Sequence, residues 1–205
     1  MWGNVLPILL GFVLTTVIGG FFASFLQQRS WRYQNAARLR EEERRKASEV
    51  CQRISGLVDK RLYRMRRLLG ALIGRASDNT TSDTLDNRLG EYDEVLLEWN
   101  DQLNARLAVV GAYFGEDVRH FLDRVVYEEF RNVGQHLEEL HREVGSAAGM
   151  RLDDRLVDAA KTGIDHLNDL AYQLGVTMMV RVREERVGNA APGAAGEAIL
   201  IDTRR

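Results

Sequence analysis

The stretch VVGAYFGEDVRHF, Val109 to Phe121, decides between two folds. By apolar phase, Phe114, Val118 and Phe121 keep the three-and-four spacing of one helix face, so a single helix could run from Asp83 to Val144. By punctuation, Gly115 is a glycine just past a helix end, and Glu116 and Asp117 form the acidic first turn of the next helix. With a turn at Gly115 the apolar segments run to roughly 30, 31, 28 and 37 residues, the matched lengths of an up-down-up-down bundle. The sequence therefore predicts an all-α protein with an antiparallel four-helix bundle, and three long helices as the competing arrangement.

Working outward, the flanking stripes have the same period. Ala47, Val50, Ile54, Val58, Met65, Leu69 and Leu72 mark one helix face, with Leu57, Leu62 and Leu68 beside it. Arg61 interrupts this seam and Leu62 substitutes for it. The run RASDNTTSDT (Arg75–Thr84) has turn chemistry, with Ser82 or Asp83 as the next N-cap. A second stripe runs Leu85, Leu89, Tyr92, Leu96, Trp99, Leu103, Leu107, Val110 and Phe114. The third is Val118, Phe121, Val125, Phe130, Val133, Leu137, Leu140 and Val144. After GSAAGMR (Gly145–Arg151), Leu152, Leu156, Ala160, Ile164, Leu167, Leu170, Leu174 and Met178 form the fourth. Residues 188–205 have the composition of a flexible tail.

The N-terminal part reads differently. From Val5 to Leu26 there is no charge over 22 residues, and at ~1.5 Å per residue such a helix spans the ~30 Å of a hydrocarbon core. A cleaved signal would carry a basic n-region and a shorter apolar stretch, both missing here. The expected organisation is a transmembrane anchor over 1–28, a basic juxtamembrane helical stalk over 29–46, a bundle over 47–187 and the tail over 188–205. Arg29, Arg32, Arg38 and Arg40 follow the span closely, so the positive-inside bias puts the short N-terminus outside and the C-terminal domain in the cytoplasm, at an inner membrane. Cys51 is the single cysteine and fits a reducing compartment. Within the span Gly11, Thr15, Gly19 and Ala23 recur every four residues, with Thr16, Gly20 and Ser24 alongside, a spacing that lets two helix backbones approach in lipid.

Charge is uneven along the chain. Residues 29–67 hold 13 Lys or Arg against 5 Asp or Glu, and residues 68–205 hold 15 against 25. The juxtamembrane arginines suit anionic lipid headgroups, worth about 1 kcal/mol for each basic residue near the surface. The later cluster Lys60, Arg61, Arg64, Arg66 and Arg67 suits the acidic flanks of other helices, such as Glu91, Asp93, Glu94, Glu138 and Glu139, better than nucleic acid, because few aromatics are interleaved and the rest of the domain is acidic.

Motifs for chemistry are sparse. There is no phosphate loop, nucleophile elbow or zinc spacing. Glu138 and His141 form one E-x-x-H pair, but a di-metal bundle needs a second on a facing helix, and His166 has Gly163 three residues before it. No cofactor, metal or small-molecule substrate is expected. Tyr92, Trp99 and Asn100 are either core residues with polar neighbours or a partner-binding face. The expected protein is non-enzymatic and single-pass. Its bundle would bind another membrane protein or self-associate into a homo-oligomer, as an anchor, scaffold or signal-coupling module. The alternatives are a membrane effector whose span oligomerises and permeabilises the bilayer, and a bundle metalloprotein.

Overall fold

The computed structural model describes residues 5–146 and 152–188; within 5–26 it describes the side chains of Phe12 and Phe21 alone. The helices are α1 (Val5–Ala76), α2 (Ser82–Asn100), α3 (Leu103–Phe114), α4 (Glu116–His120), α5 (Tyr127–Ser146) and α6 (Asp154–Arg183), with a π-helical stretch Phe121–Val126 between α4 and α5. No strand occurs among the described residues, so the all-α class holds. The chain divides into two units, Met1–Glu43 and Arg44–Arg205.

In the first unit the backbone is helical from Val5, and Arg29, Trp31, Arg32, Tyr33, Arg38 and Arg40 are exposed. The Arg29 guanidinium lies 5.9 Å from the centre of the Tyr33 ring. The expected span draws no support from the structure. Among the described residues no helix is long and apolar enough to cross a membrane. The packing row Gly11, Thr15, Gly19 and Ala23 lies outside the described side chains.

The second unit is an up-down-up-down bundle. From Ala47, α1 buries Ala47, Cys51, Ile54, Val58, Met65 and Leu72, which lie on one face of a 3.6-residue helix. Its pairings show direction: Lys60 meets Glu98 while Arg64 meets Glu91, so α2 runs antiparallel to α1. Trp99 packs on Phe130, and Tyr92 lies beside Gly134, which sets α5 antiparallel to α2. Arg181 reaches Asp117 and Gly163 lies against Val133, which sets α6 antiparallel to α4 and α5. Ser55 beside Gly175 and Arg66 bonded to Asn168 close the ring between α6 and α1.

The decisive stretch turns at Gly115. This residue has φ 87° and ψ 165°, backbone that only glycine holds without strain, and its N–H donates to the Gly111 carbonyl. The reversal is tight: a Cβ on Gly111 would stand 3.0 Å from Glu116 Oε1 and 3.1 Å from Arg119 Cδ. The far end of the bundle locks it. Arg181 on α6 donates to the Phe114 carbonyl, left open at the end of α3, and pairs with Asp117 at the start of α4. Phase continuity alone favours a single long helix across this point. It is overruled because apolar residues on both sides can reach the core equally well after a reversal.

Three local features differ from the sequence reading. The N-cap of α2 is Thr81, whose hydroxyl accepts from the Thr84 N–H at 3.3 Å; Ser82 and Asp83 lie in the first turn. The second arm is interrupted at Asp101–Gln102, and the Arg106 guanidinium takes the freed carbonyls of Glu98 (2.7 Å) and Trp99 (3.3 Å). In the third arm the buried residues are Val118, Leu122, Val126 and Phe130, with Phe121 half-buried and Val125 exposed. A spacing of four drifts off the face of an α-helix. The π stretch, with its wider i→i+5 bonding, restores the register.

Gly115→Ala should lose about 1–3 kcal/mol of stability, since a methyl group forces that backbone out of its region. Gly90 in α2 has open space, with nothing within 4 Å of where a Cβ would sit, so Gly90→Ala should gain about 0.5–1 kcal/mol. Denaturant midpoints of the two variants check both signs.

Candidate functional site

The centre of the bundle holds a charge. Arg61 on α1 is 4% exposed, and its guanidinium carbon lies 4.4 Å from the Phe130 ring centre and 5.5 Å from that of Trp99. The two rings are themselves 5.7 Å apart, tilted by 50°. Cation–π attraction is strongest where water is excluded, so the rings replace part of the lost hydration. The Tyr92 hydroxyl supplies a hydrogen-bond partner; it fits because α5 has Gly134 there, where a Cβ would stand 3.3 Å from that oxygen. Burial nevertheless pulls the Arg61 pKa down, opposed by Tyr92 and Tyr127, and burial pushes the Tyr92 phenol up, opposed by Arg61. A guanidinium stays protonated under such pressure.

The environment is incomplete. Among the described residues, Arg61 Nε and Nη1 and Trp99 Nε1 are buried donors without an acceptor. Most buried polar groups find a partner, and one left alone costs about 1–3 kcal/mol. A permanent cation beside aromatic rings offers neither nucleophile nor base, so its leverage is on the packing of α1, α2 and α5. Periodicity alone makes Arg61 a break in the seam, on a helix flank. The structure corrects this: Arg61 and Leu62 are both buried, because facing helices supply rings to receive the guanidinium. One-dimensional periodicity carries no sign of those rings.

Of the proposed partner face, Tyr92 and Trp99 lie inside at 4% and 2% exposure, and Asn100 alone is exposed. The basic cluster meets acidic flanks on α2. Glu91 accepts from Arg88 at 2.9 Å and from Arg64, with Arg67 at 4.0 Å, and Glu98 accepts from Lys60. Glu138 and His141 line a small groove beside Tyr92 and Leu96; among the described residues no group of three or more His, Cys, Asp or Glu could hold a metal ion. Cys51 is buried, and burial raises its thiol pKa against a hydrogen bond with Ser55.

A second feature lies outside what the apolar stripes predict. Between α1 and α6 is an open, mostly apolar groove of about 500 Å³, lined by Cys51, Gln52 and Ser55 on one side and Tyr172, Val176 and Met179 on the other. The last three are 72%, 42% and 50% exposed. Their i, i+4, i+7 spacing is legible as a second apolar row, on the side of the helix opposite the core stripe Leu170, Leu174 and Met178.

Comparison with protein-family models, with curated proteins and with solved structures finds no match to this chain.

Two outcomes follow. Arg61→Met should stabilise the bundle by about 1 kcal/mol or more, because an apolar side chain of similar length removes the unmatched donors, as in other buried-charge replacements; a lower melting temperature would show that the ring contacts outweigh the desolvation. The second concerns acid. Hydrogen bonds from Arg88, aided by the charges of Arg64 and Arg67, hold the Glu91 carboxyl below the usual range. A depressed folded-state pKa adds stability above the unfolded value, near 4.3, and loses it as pH falls through the folded one. Unfolding curves at pH 7 and pH 3 should therefore differ less for Glu91→Gln than for the parent.

Proposed function

We propose that this chain is a non-enzymatic, single-pass membrane protein whose cytoplasmic bundle self-associates or engages another membrane protein, as an anchor or signal-coupling scaffold. The observation that carries the reading is the charge-free run Val5–Leu26 followed directly by exposed arginines. Such a run suits a bilayer core, and Arg29, Arg32, Arg38 and Arg40 then suit anionic headgroups on the cytoplasmic side. The row Gly11, Thr15, Gly19 and Ala23 would let two such spans pack. The exposed row Tyr172, Val176 and Met179 adds a surface for protein contact. Tyr92 and Trp99 would join a partner face only on opening of the bundle.

A second reading is a membrane effector whose span oligomerises and makes the bilayer leaky when the bundle receives a trigger. Arg61 favours it: a buried charge with unmatched donors lowers the cost of separating α1 from α2 and α5. The expected result for both readings is recovery of the full chain in the membrane fraction, resistant to alkaline extraction, with the bundle shielded from protease added outside the cell. Release into the alkaline supernatant would end both. Overexpression then separates them. The effector depolarises cells, and replacing Gly11 and Gly19 with Leu abolishes that; the scaffold leaves the potential intact.

A further inference from the structure

Single exposed apolar side chains are ordinary, but three in one row on one helix form a patch. Tyr172, Val176 and Met179 are such a row, on the outer side of α6. The same face continues to Asp165 in one direction and to Arg183 in the other, at spacings of seven and four residues, the repeat of a helix–helix seam. Asp165 and Arg183 are exposed, and neither has an ion-pair or hydrogen-bond partner among the described residues. The face is thus acidic at one end, apolar in the middle and basic at the other.

That order is complementary to its own reverse. If two α6 helices lie antiparallel with Tyr172 of one opposite Val176 of the other, Asp165 falls opposite Arg183, twice by symmetry. Met179 then meets the region of Asp169. Such a surface satisfies the requirement of a two-fold interface, in which one patch must match itself. We propose that a second copy of this chain docks on this face, through an antiparallel α6–α6 contact centred between Tyr172 and Val176. From Asp165 to Arg183 the contact would extend ~27 Å at 1.5 Å per residue. One helix pair buries less than the ~1,200 Å² of a stable soluble dimer, so the contact needs the high effective concentration of two chains in one membrane. In this the inference rests on the self-association reading above.

The test uses the full chain in its membrane, with Cys51→Ala to remove the native thiol. Two differently tagged forms are coexpressed, one carrying Tyr172→Cys and the other Val176→Cys, and disulfide formation is catalysed. The expected result is a mixed crosslink stronger than either self-crosslink and than a control pair at Val125 and Val176. Asp165→Arg should lower it at least tenfold, since two attractions become two repulsions. Adding Arg183→Asp in the same chain should restore it, which a merely misfolded variant would not do. A parallel pair of chains carries Thr15→Cys in place of the α6 cysteines; a crosslink there with none on α6 would overturn the α6 contact while leaving self-association standing. Absence of a crosslink at both places would overturn both. A crosslink indifferent to Asp165→Arg, or one that forms only after removal of residues 189–205, would also overturn it, the latter assigning the face to the chain's own tail.

Discussion

The bundle depends on a reversal at one residue. Gly115 holds a backbone conformation closed to side chains, and it turns α3 into α4 so tightly that a Cβ on Gly111 would stand 3.1 Å from Arg119 Cδ. Without that corner the second and third arms would be one rod of about sixty residues, and its apolar faces could not meet those of α1 and α6 in one core. Arg181 ties the corner to the last helix by holding the Phe114 carbonyl and Asp117 together. The local choice at Gly115 and the global closure of the bundle thus support each other.

The core that this closure forms is not uniformly apolar. Above and below, it is layered Leu, Val and Met; at its middle it carries Arg61 between Trp99 and Phe130. Cation–π contact and the Tyr92 hydroxyl compensate part of the charge, while three donors have no protein acceptor among the described residues. That layer lies between α1 and the α2–α5 pair. On the outside, ion pairs of α1 with Glu91 and Glu98 hold the same two helices, α1 and α2, together. Exposed pairs of this kind add little each, so register is their main contribution.

In the proposed function, membrane anchoring and contact between copies bear on each other through concentration. A face as small as the outer side of α6 is weak in dilute solution and adequate when diffusion is confined to a plane. In that proposal the basic residues after Val5–Leu26 would set where the chain sits, and the self-complementary charge order of α6 would set how copies orient.

Much of this was legible in the residues. Helical period, turn composition and the spacing of the four stripes are local properties; from them follow the all-α class and the interruption after the first bundle helix, which the structure places at 77–81, while at Gly115 they left a turn and a continuous helix in competition. The charge-free N-terminal run is likewise a property of the sequence alone. What the tertiary structure decided is whatever depends on a partner far away in the chain. The π stretch exists because Leu122 and Val126, rather than Phe121 and Val125, fit the facing helices. Arg61 is inside because Trp99 and Phe130, 38 and 69 positions on, supply faces for its charge. Tyr172, Val176 and Met179 are outside because Leu170, Leu174 and Met178 occupy the core side of the same helix. Periodicity identifies that a helix has an apolar face; only packing determines which of two opposite apolar rows the core takes, because the choice is made by shape and charge on other helices.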